Sequence, residues 1–133
     1  MATLDIKIDP DAILKEGEHS EEMLLRMIEA GQKVMAGYIR SGTTQYTKTG
    51  DMANYVKPTK PVIDRNGNPV GRVKFMGDDR NGMSNSAKAM WIEYGTTKRS
   101  ATPFVRPAIE SSKSAVYSAM KSVEQKEMNS KWI

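Results

Sequence analysis

The chain has 133 residues, 38% of them hydrophobic, and a net charge of +4, which allows one domain with a modest core but not two. It contains no cysteine, which excludes a disulfide framework, a thiolate zinc site and a cysteine nucleophile, and which suits an intracellular setting. No stretch approaches the roughly 18 apolar residues of a membrane span, and the N-terminus lacks the regions of a secretory signal. We therefore expect no membrane contact.

Positive charge is concentrated in the middle of the chain. Residues 40–106 hold twelve Lys or Arg against five Asp or Glu, whereas residues 1–39 hold four against eight. Two interpretations are open. The lysines keep a small domain soluble, or they form a face that is turned toward phosphates or toward acidic protein.

The first predicted elements are a strand and a long helix. Apolar and polar residues alternate over residues 4–8 before Asp9-Pro10, which predicts a short edge strand. From Ser20 onward, apolar residues recur at spacings of three, four and seven, which predicts an amphipathic helix. We expect this helix to end at Ser41-Gly42, because glycine commonly follows the last helical turn.

A hairpin is predicted in the basic middle region. Residues 56–63 and 70–76 read as its two strands, and Asn66-Gly67 between them supplies the positive-φ residues of a tight turn. Prolines keep the first strand at a sheet edge. Just before it, residues 51–56 suit one or two helical turns capped by the Asp51 carboxylate.

The C-terminal half begins with an ambiguous segment. Residues 87–94 suit either a helix or a strand, and Gly95 after them permits a left-handed turn. Residues 107–123 carry an apolar stripe at helical spacing and begin with a proline, which the first turn of a helix accepts. We expect Arg106, which precedes that proline, to be extended, and Phe104 to fold over the start of the helix.

These elements predict an α+β fold. A long N-terminal helix and a C-terminal helix pack on a small, mainly antiparallel sheet that contains the hairpin. We expect residues 13–124 to form the single domain, residues 1–12 to form a strand-like arm, and residues 125–133 to form a frayed tail.

Few residues suggest catalysis or metal binding. His19 is the only histidine, and no second His or Cys could complete a transition-metal site with it. Asp78-Asp79 lacks the spacing of a calcium loop, and no phosphate-binding or nucleophile motif is present. Glu93, between Ile92 and Tyr94, is a candidate general acid or base, or a partner for Arg99 or Arg106 within or between subunits. We predict no catalytic residue, metal or cofactor.

One pair of motifs points to a family. Residues 91–96 (WIEYGT) and 103–108 (PFVRPA) resemble the V-E-[FY]-G-T … P-F-[LV]-R-P-A signature of small head-to-tail joining proteins, the neck or tail-completion proteins of long-tailed double-stranded-DNA bacteriophages. Residues 49–52 (TGDM) are similar to that family's T-G-x-L element, with Met52 in place of leucine. The resemblance covers residues 20–123, and the family pattern does not require residues 1–12.

The resemblance implies a non-enzymatic virion component at the head–tail junction, assembled in the host cytoplasm. It implies a homo-oligomeric ring that touches a head-side connector or head-closure protein and a tail terminator or tail tube protein. Candidate contact residues between copies lie in the two motifs: Trp91, Glu93, Tyr94, Gly95, Thr96, Pro103, Phe104, Arg106 and Pro107. Trp91, Phe104 and Pro107 could instead fill the monomer's own core, and both roles could hold at once.

Five basic residues are candidates for the wall of the ring's channel. They are Arg65, Arg72, Lys74, Lys98 and Arg99. They could touch passing duplex DNA without reading its sequence, or pair with acidic residues on a neighbouring ring.

Two other functions remain as alternatives. A small basic nucleic-acid-binding module would bind duplex DNA at micromolar or tighter affinity with a steep salt dependence, although no basic groove-reading helix is evident. A small enzyme would depend on Glu93.

Overall fold

The polypeptide has the predicted α+β fold, with one long helix lying between a second long helix and a small antiparallel sheet. The computed structural model describes residues 6–8, 20–46 and 50–131. In chain order the elements are β1 (Ile6–Lys7), α1 (Glu21–Thr43), a 3-10 turn (Thr44–Tyr46), α2 (Asp51–Asn54), β2 (Val56–Pro58), β3 (Val62–Ile63), β4 (Pro69–Val70), β5 (Arg72–Phe75), α3 (Asn85–Tyr94) and α4 (Val105–Lys131).

Helix α1 begins where the sequence predicts. The Ser20 hydroxyl accepts a hydrogen bond from the Met23 N–H at 3.2 Å, which satisfies one of the free donors of the first turn. Acidic residues in the first turn and Arg40 in the last complement the helix dipole. The apolar stripe of α1 is buried against α4 and the sheet, and it includes Met23, Leu24, Met27, Ile28, Met35, Ala36 and Ile39.

The predicted end of α1 at Ser41-Gly42 is wrong, because the helix continues to Thr43. The Thr43 hydroxyl donates to the Ile39 carbonyl at 2.6 Å. A Cβ at position 42 would lie 3.5 Å from the Phe104 carbonyl oxygen and 3.7 Å from the Ala108 Cβ. Both distances are ordinary van der Waals contacts, so position 42 lies within the helix beside the start of α4 and does not terminate it.

The three-stranded sheet has β5 at its centre, with β1 and β2 antiparallel on either side. Ile6 pairs with Val73, and Val56 pairs with Phe75. All four of these side chains are buried against the helices. Both predicted edge strands are confirmed, and Pro58 lies in β2, where an edge strand tolerates a proline.

The predicted hairpin is confirmed, with β3 and β4 paired beyond the main sheet. The Asp64 carboxylate closes its turn by accepting from the N–H groups of Asn66 and Asn68, each at 2.9 Å. Gly67 has a φ of 81°. Asn66 does not adopt a positive φ, because the Asp64 side chain replaces the two-residue turn that we expected.

The structure decides between helix and strand for residues 87–94, and it corrects the predicted cap at Asp51. Residues 87–94 are helical, and the Ser84 hydroxyl caps α3 by accepting from the Ala87 N–H at 3.2 Å. Helix α2 is present, but Asp51 does not cap it. The Asp51 carboxylate instead accepts three hydrogen bonds from the backbone and guanidinium of Arg80, at 3.0–3.1 Å.

The N-terminal strand belongs to the domain. Ile6 and Ile8 are each 3% exposed and lie in the core, and the Ile8 N–H donates to the Gly71 carbonyl at 3.0 Å. Residues 6–8 are therefore not a separate arm, and the rest of residues 1–12 lies outside the described part of the chain.

The frayed C-terminal tail is wrong for residues 125–131, because α4 continues to Lys131. One long-range contact and one contact within the helix hold this end. Arg26 of α1 forms an ion pair with Glu127, and the buried Glu124 pairs with Lys121 at 3.1 Å. Residues 132–133 lie outside the described residues.

Gln32 fastens α1 to the sheet. Its buried side-chain amide donates to the carbonyls of Thr59, at 2.9 Å, and Arg72, at 2.8 Å. Gly71 leaves the space that this contact needs. A Cβ at position 71 would lie 2.4 Å from the Ile28 Cγ2 and 2.5 Å from the Gln32 Cδ.

We expect Gly71→Ala to lower the free energy of unfolding by about 1–3 kcal/mol, because the added methyl overlaps two buried side chains. Urea denaturation followed by circular dichroism measures the change. The matched control is Gly37→Ala, since no heavy atom lies within 4 Å of a Cβ placed there. Alanine is the better helix former, so the control should raise stability by about 0.5–1 kcal/mol. Equal effects of the two substitutions would contradict the tight packing at Gly71.

Candidate functional site

The two motifs form the joint between α3 and α4. Gly95 ends α3 with a φ of 80°, as predicted, and its N–H donates to the Trp91 carbonyl at 2.8 Å. A Cβ at position 95 would lie 2.7 Å from the Ala101 nitrogen, so only glycine fits this turn. The Thr102 N–H then donates to the Ile92 carbonyl at 2.8 Å. The loop after α3 therefore folds back along the helix that it leaves.

Thr96 organises the tip of this loop. Thr96 and Arg99 exchange backbone hydrogen bonds, at 2.9 and 3.3 Å. The Thr96 hydroxyl also accepts from the Lys98 N–H at 3.2 Å. All three residues are exposed, so the loop presents its two cations to solvent.

Glu93 lies at the centre of the joint, with 4% of its surface exposed. Its Oε2 accepts from the N–H groups of Phe104 and Val105, each at 2.8 Å. Its Oε1 accepts from the Arg106 N–H at 3.1 Å. A buried carboxylate of α3 therefore holds the start of α4.

These three bonds satisfy the whole N-terminus of α4. An α-helix leaves its first four N–H groups without a partner in the helix, and here they belong to residues 104–107. The fourth residue, Pro107, has no N–H to satisfy. One carboxylate thus accepts from every available donor, and its charge is favoured at the positive end of the helix dipole.

Two predictions about this joint are corrected. Arg106 is helical and not extended, because its N–H bonds to Glu93 and holds the residue in the first turn. Within the described residues, the partners of Glu93 are backbone N–H groups and not the side chains of Arg99 or Arg106. Sequence inspection looked for a charged partner and missed this long-range cap.

Phe104 is buried in the core, which agrees with its predicted position over the start of α4. It is 5% exposed, and its ring centroid lies 5.1 Å from that of Tyr46 and 6.1 Å from that of Phe75. Of the two roles that the motif leaves open for Phe104, a place in the monomer's core is the one that the structure shows. Trp91 and Tyr94 differ from Phe104, because their side chains are exposed and do not fill the core.

The remaining motif residues face outward. Trp91 and Tyr94 are 45% and 57% exposed, and their spacing of three residues puts them on one side of α3. Pro103, Arg106 and Pro107 are also exposed, and the two prolines line an open groove of about 290 Å³. The motif therefore has a buried half that builds the joint and an exposed half around it.

The five basic residues that we expected to face DNA occupy three segments. These are the hairpin turn (Arg65), the outer side of β5 (Arg72 and Lys74) and the loop after α3 (Lys98 and Arg99). Strand pairing adds Lys7 and Lys57 beside the β5 residues. Sequence inspection missed these two lysines, because only the register of the sheet brings them there.

The acidic loop before α3 is held by internal bonds. Asp79 Oδ2 accepts from the Lys88 ammonium at 2.7 Å, and Oδ1 accepts from the N–H groups of Asn81 and Met83, each at 2.9 Å. The hydrogen bond from Lys88 lowers the pKa of the Asp79 carboxyl below its ordinary value. No group of three or more potential metal ligands is assembled among the described residues, and His19 lies outside them.

Comparisons with known proteins find no match, whether to a family model, a curated protein or a solved structure. In the part of the chain that the structure describes, no helix combines the length and apolar character needed to cross a membrane. Functional inference therefore rests on the motifs and on their geometry.

We expect Glu93→Gln to lower the free energy of unfolding by about 2–4 kcal/mol, because an amide removes the charge and one acceptor from a site with three buried donors. Thermal and urea denaturation measure the loss. The control is Glu110→Gln on the surface of α4, where the exposed carboxylate pairs with Lys113 at 3.1 Å. That change should stay within about 0.5 kcal/mol. A Glu93 variant as stable as the control would show that the cap is not an important contact.

Proposed function

We propose that this chain is a structural subunit of the bacteriophage head–tail connector. In this proposal it is a neck or tail-completion protein whose identical copies form a ring between the DNA-filled capsid and the tail. The starting point is the resemblance of residues 91–96 and 103–108 to the signature of the head-to-tail joining proteins. The proposal locates the finished protein in the virion and its assembly in the host cytoplasm.

The observation that carries the proposal is the exposed half of the motif. Trp91 and Tyr94 stand on a short helix whose end is fixed by Gly95 and Glu93. Within the described residues, neither aromatic side chain has a hydrogen bond or a ring contact. Large aromatic side chains on a rigid support lose little entropy on binding and dominate many protein interfaces. They are suitable contacts between copies.

The size of the chain favours a ring over a single subunit. A domain of this length has a radius of gyration of about 14 Å, which is too small to surround duplex DNA. Several copies can enclose a channel when a surface of one contacts a different surface of the next and the rotation closes. The exposed aromatics and the groove beside Pro103 and Pro107 supply two such surfaces.

A structural role also agrees with the hydrogen bonds that Glu93 accepts. This is the carboxylate that we considered as a general acid or base. Both of its oxygens accept backbone hydrogen bonds inside the protein. A proton-transfer group needs access to a substrate atom, whereas this carboxylate serves the start of α4. We therefore propose a connector without catalytic activity or cofactor.

The proposed partners follow from the position of the ring. Identical copies contact one another around the channel, a head-side connector or head-closure protein lies above, and a tail terminator or tail tube protein lies below. Duplex DNA passes through the centre.

Lysates of the encoding phage made without this protein are expected to contain filled heads and separate tails by electron microscopy. Wild-type protein supplied in trans should restore joined particles. The Trp91→Ala/Tyr94→Ala protein should not restore them, because each lost anchor weakens a contact by about 2 kcal/mol or more. Its own stability should change little, since both side chains are exposed.

Val62→Ala is the matched control, because Val62 is a 50% exposed apolar residue outside the motif. It should restore joined particles as well as the wild type does. Joined particles in lysates that lack the protein would contradict the connector proposal. Full rescue by the aromatic double variant would contradict the role given to Trp91 and Tyr94.

A further inference from the structure

The outer side of the three-stranded sheet brings four cations together. Lys7 lies opposite Arg72, and Lys57 lies opposite Lys74. Side chains alternate between the two faces of a strand, so these four point away from the core that buries their neighbours. Lys7, Lys57 and Lys74 are exposed and Arg72 is half-buried. We name this surface the basic sheet face.

The pair of Lys57 and Lys74 is unfavourable for the isolated monomer. Directly opposed residues of antiparallel strands have Cβ atoms about 4.5–5.5 Å apart, and like charges at that distance destabilise the pair. Neither Lys57 nor Lys74 forms an ion pair with any residue that the structure describes. Solubility alone does not require two lysines directly opposite each other on neighbouring strands. A bound polyanion would offset the repulsion.

We propose that the basic sheet face binds the phosphate backbone of duplex DNA without reading its sequence. Three of the four cations are lysines, and lysine is depleted from protein–protein interfaces, whereas Lys and Arg supply most contacts to phosphates. The face is formed by strands of two to four residues, and it carries no helix that could enter a groove. Its chemistry therefore suits an extended array of phosphates better than an acidic protein surface.

The number of cations sets the expected salt dependence of binding. Each neutralised phosphate contributes about 0.9 to the slope of log affinity against log salt. Four contacts give a slope of about −3.6, so affinity should fall about 100-fold between about 50 and 200 mM salt. Such binding is measurable at low salt and weak at physiological salt. A contact of this kind would let DNA move past the protein.

The basic sheet face is separate from the motif at the α3–α4 joint. The proposed ring can therefore assemble if this face does not bind DNA, and the face can bind DNA if no ring forms. The two proposals are tested by different variants and different measurements.

The test is fluorescence anisotropy of a labelled mixed-sequence duplex, titrated with the purified protein at several salt concentrations. Wild-type protein should show a slope of about −3.6, and Lys57→Gln/Lys74→Gln a slope of about −1.8. The control is Lys33→Gln/Lys126→Gln, which removes the same amount of charge from the two long helices and none from the basic sheet face. Its slope should equal that of the wild type.

Three results would overturn the proposal. The first is no binding of the duplex by the wild type at low salt. The second is an equal loss of slope in both double variants, which would reflect net charge and not this face. The third is displacement of the duplex by poly-glutamate at a lower charge concentration than by unlabelled duplex, which would assign the face to an acidic protein. Thermal denaturation of each variant checks that the fold is intact.

Discussion

The hydrogen bonds from the start of α4 to Glu93 are the constraint on which the motif region depends. Burying a carboxylate is costly unless hydrogen bonds replace its hydration, and here three backbone donors do so. Because the carboxylate belongs to α3 and the donors belong to α4, the contact fixes one helix against the other. Pro107 has no N–H, so the first turn contains no further backbone donor that needs a partner.

Because of this contact, some motif residues are buried in the joint and others are exposed. Glu93, Gly95 and Phe104 are used inside the monomer, where they close the joint and fill the core. Trp91 and Tyr94 are exposed on a helix that the Glu93 contact joins to the start of α4. A rigid, exposed aromatic pair is what a contact between copies needs, since little order must be gained on binding. The basic sheet face is a second surface, with a chemistry that suits a different partner.

Sequence inspection predicted the parts of the fold that local patterns determine. The apolar spacing of α1, the hairpin and the positive φ of Gly95 are each properties of a few neighbouring residues. It could not predict contacts between distant segments. Gly42 looked like a helix end because glycine commonly follows the last helical turn, but α1 continues to Thr43 beside the start of α4. Arg106 looked extended because the following proline disfavours helix, while the opposing contact comes from Glu93, thirteen residues earlier.

The site was predicted less completely than the fold for the same reason. The motif residues were identified, but their division into buried and exposed sets depends on how α3 packs, which periodicity did not decide. Lys7 and Lys57 were missed because they are remote from β5 in sequence and reach it only through strand pairing. Charge counts alone indicated a basic middle region and could not indicate which cations share a surface.

Electron cryo-microscopy of the phage neck, at a resolution that shows side chains, tests the central claim most directly. That claim is that the exposed half of the motif joins identical copies around a channel. We expect a closed ring in which Trp91 and Tyr94 of each copy lie against the next copy. A solitary copy away from the neck, or a ring whose copies leave both aromatics in solvent, would contradict it.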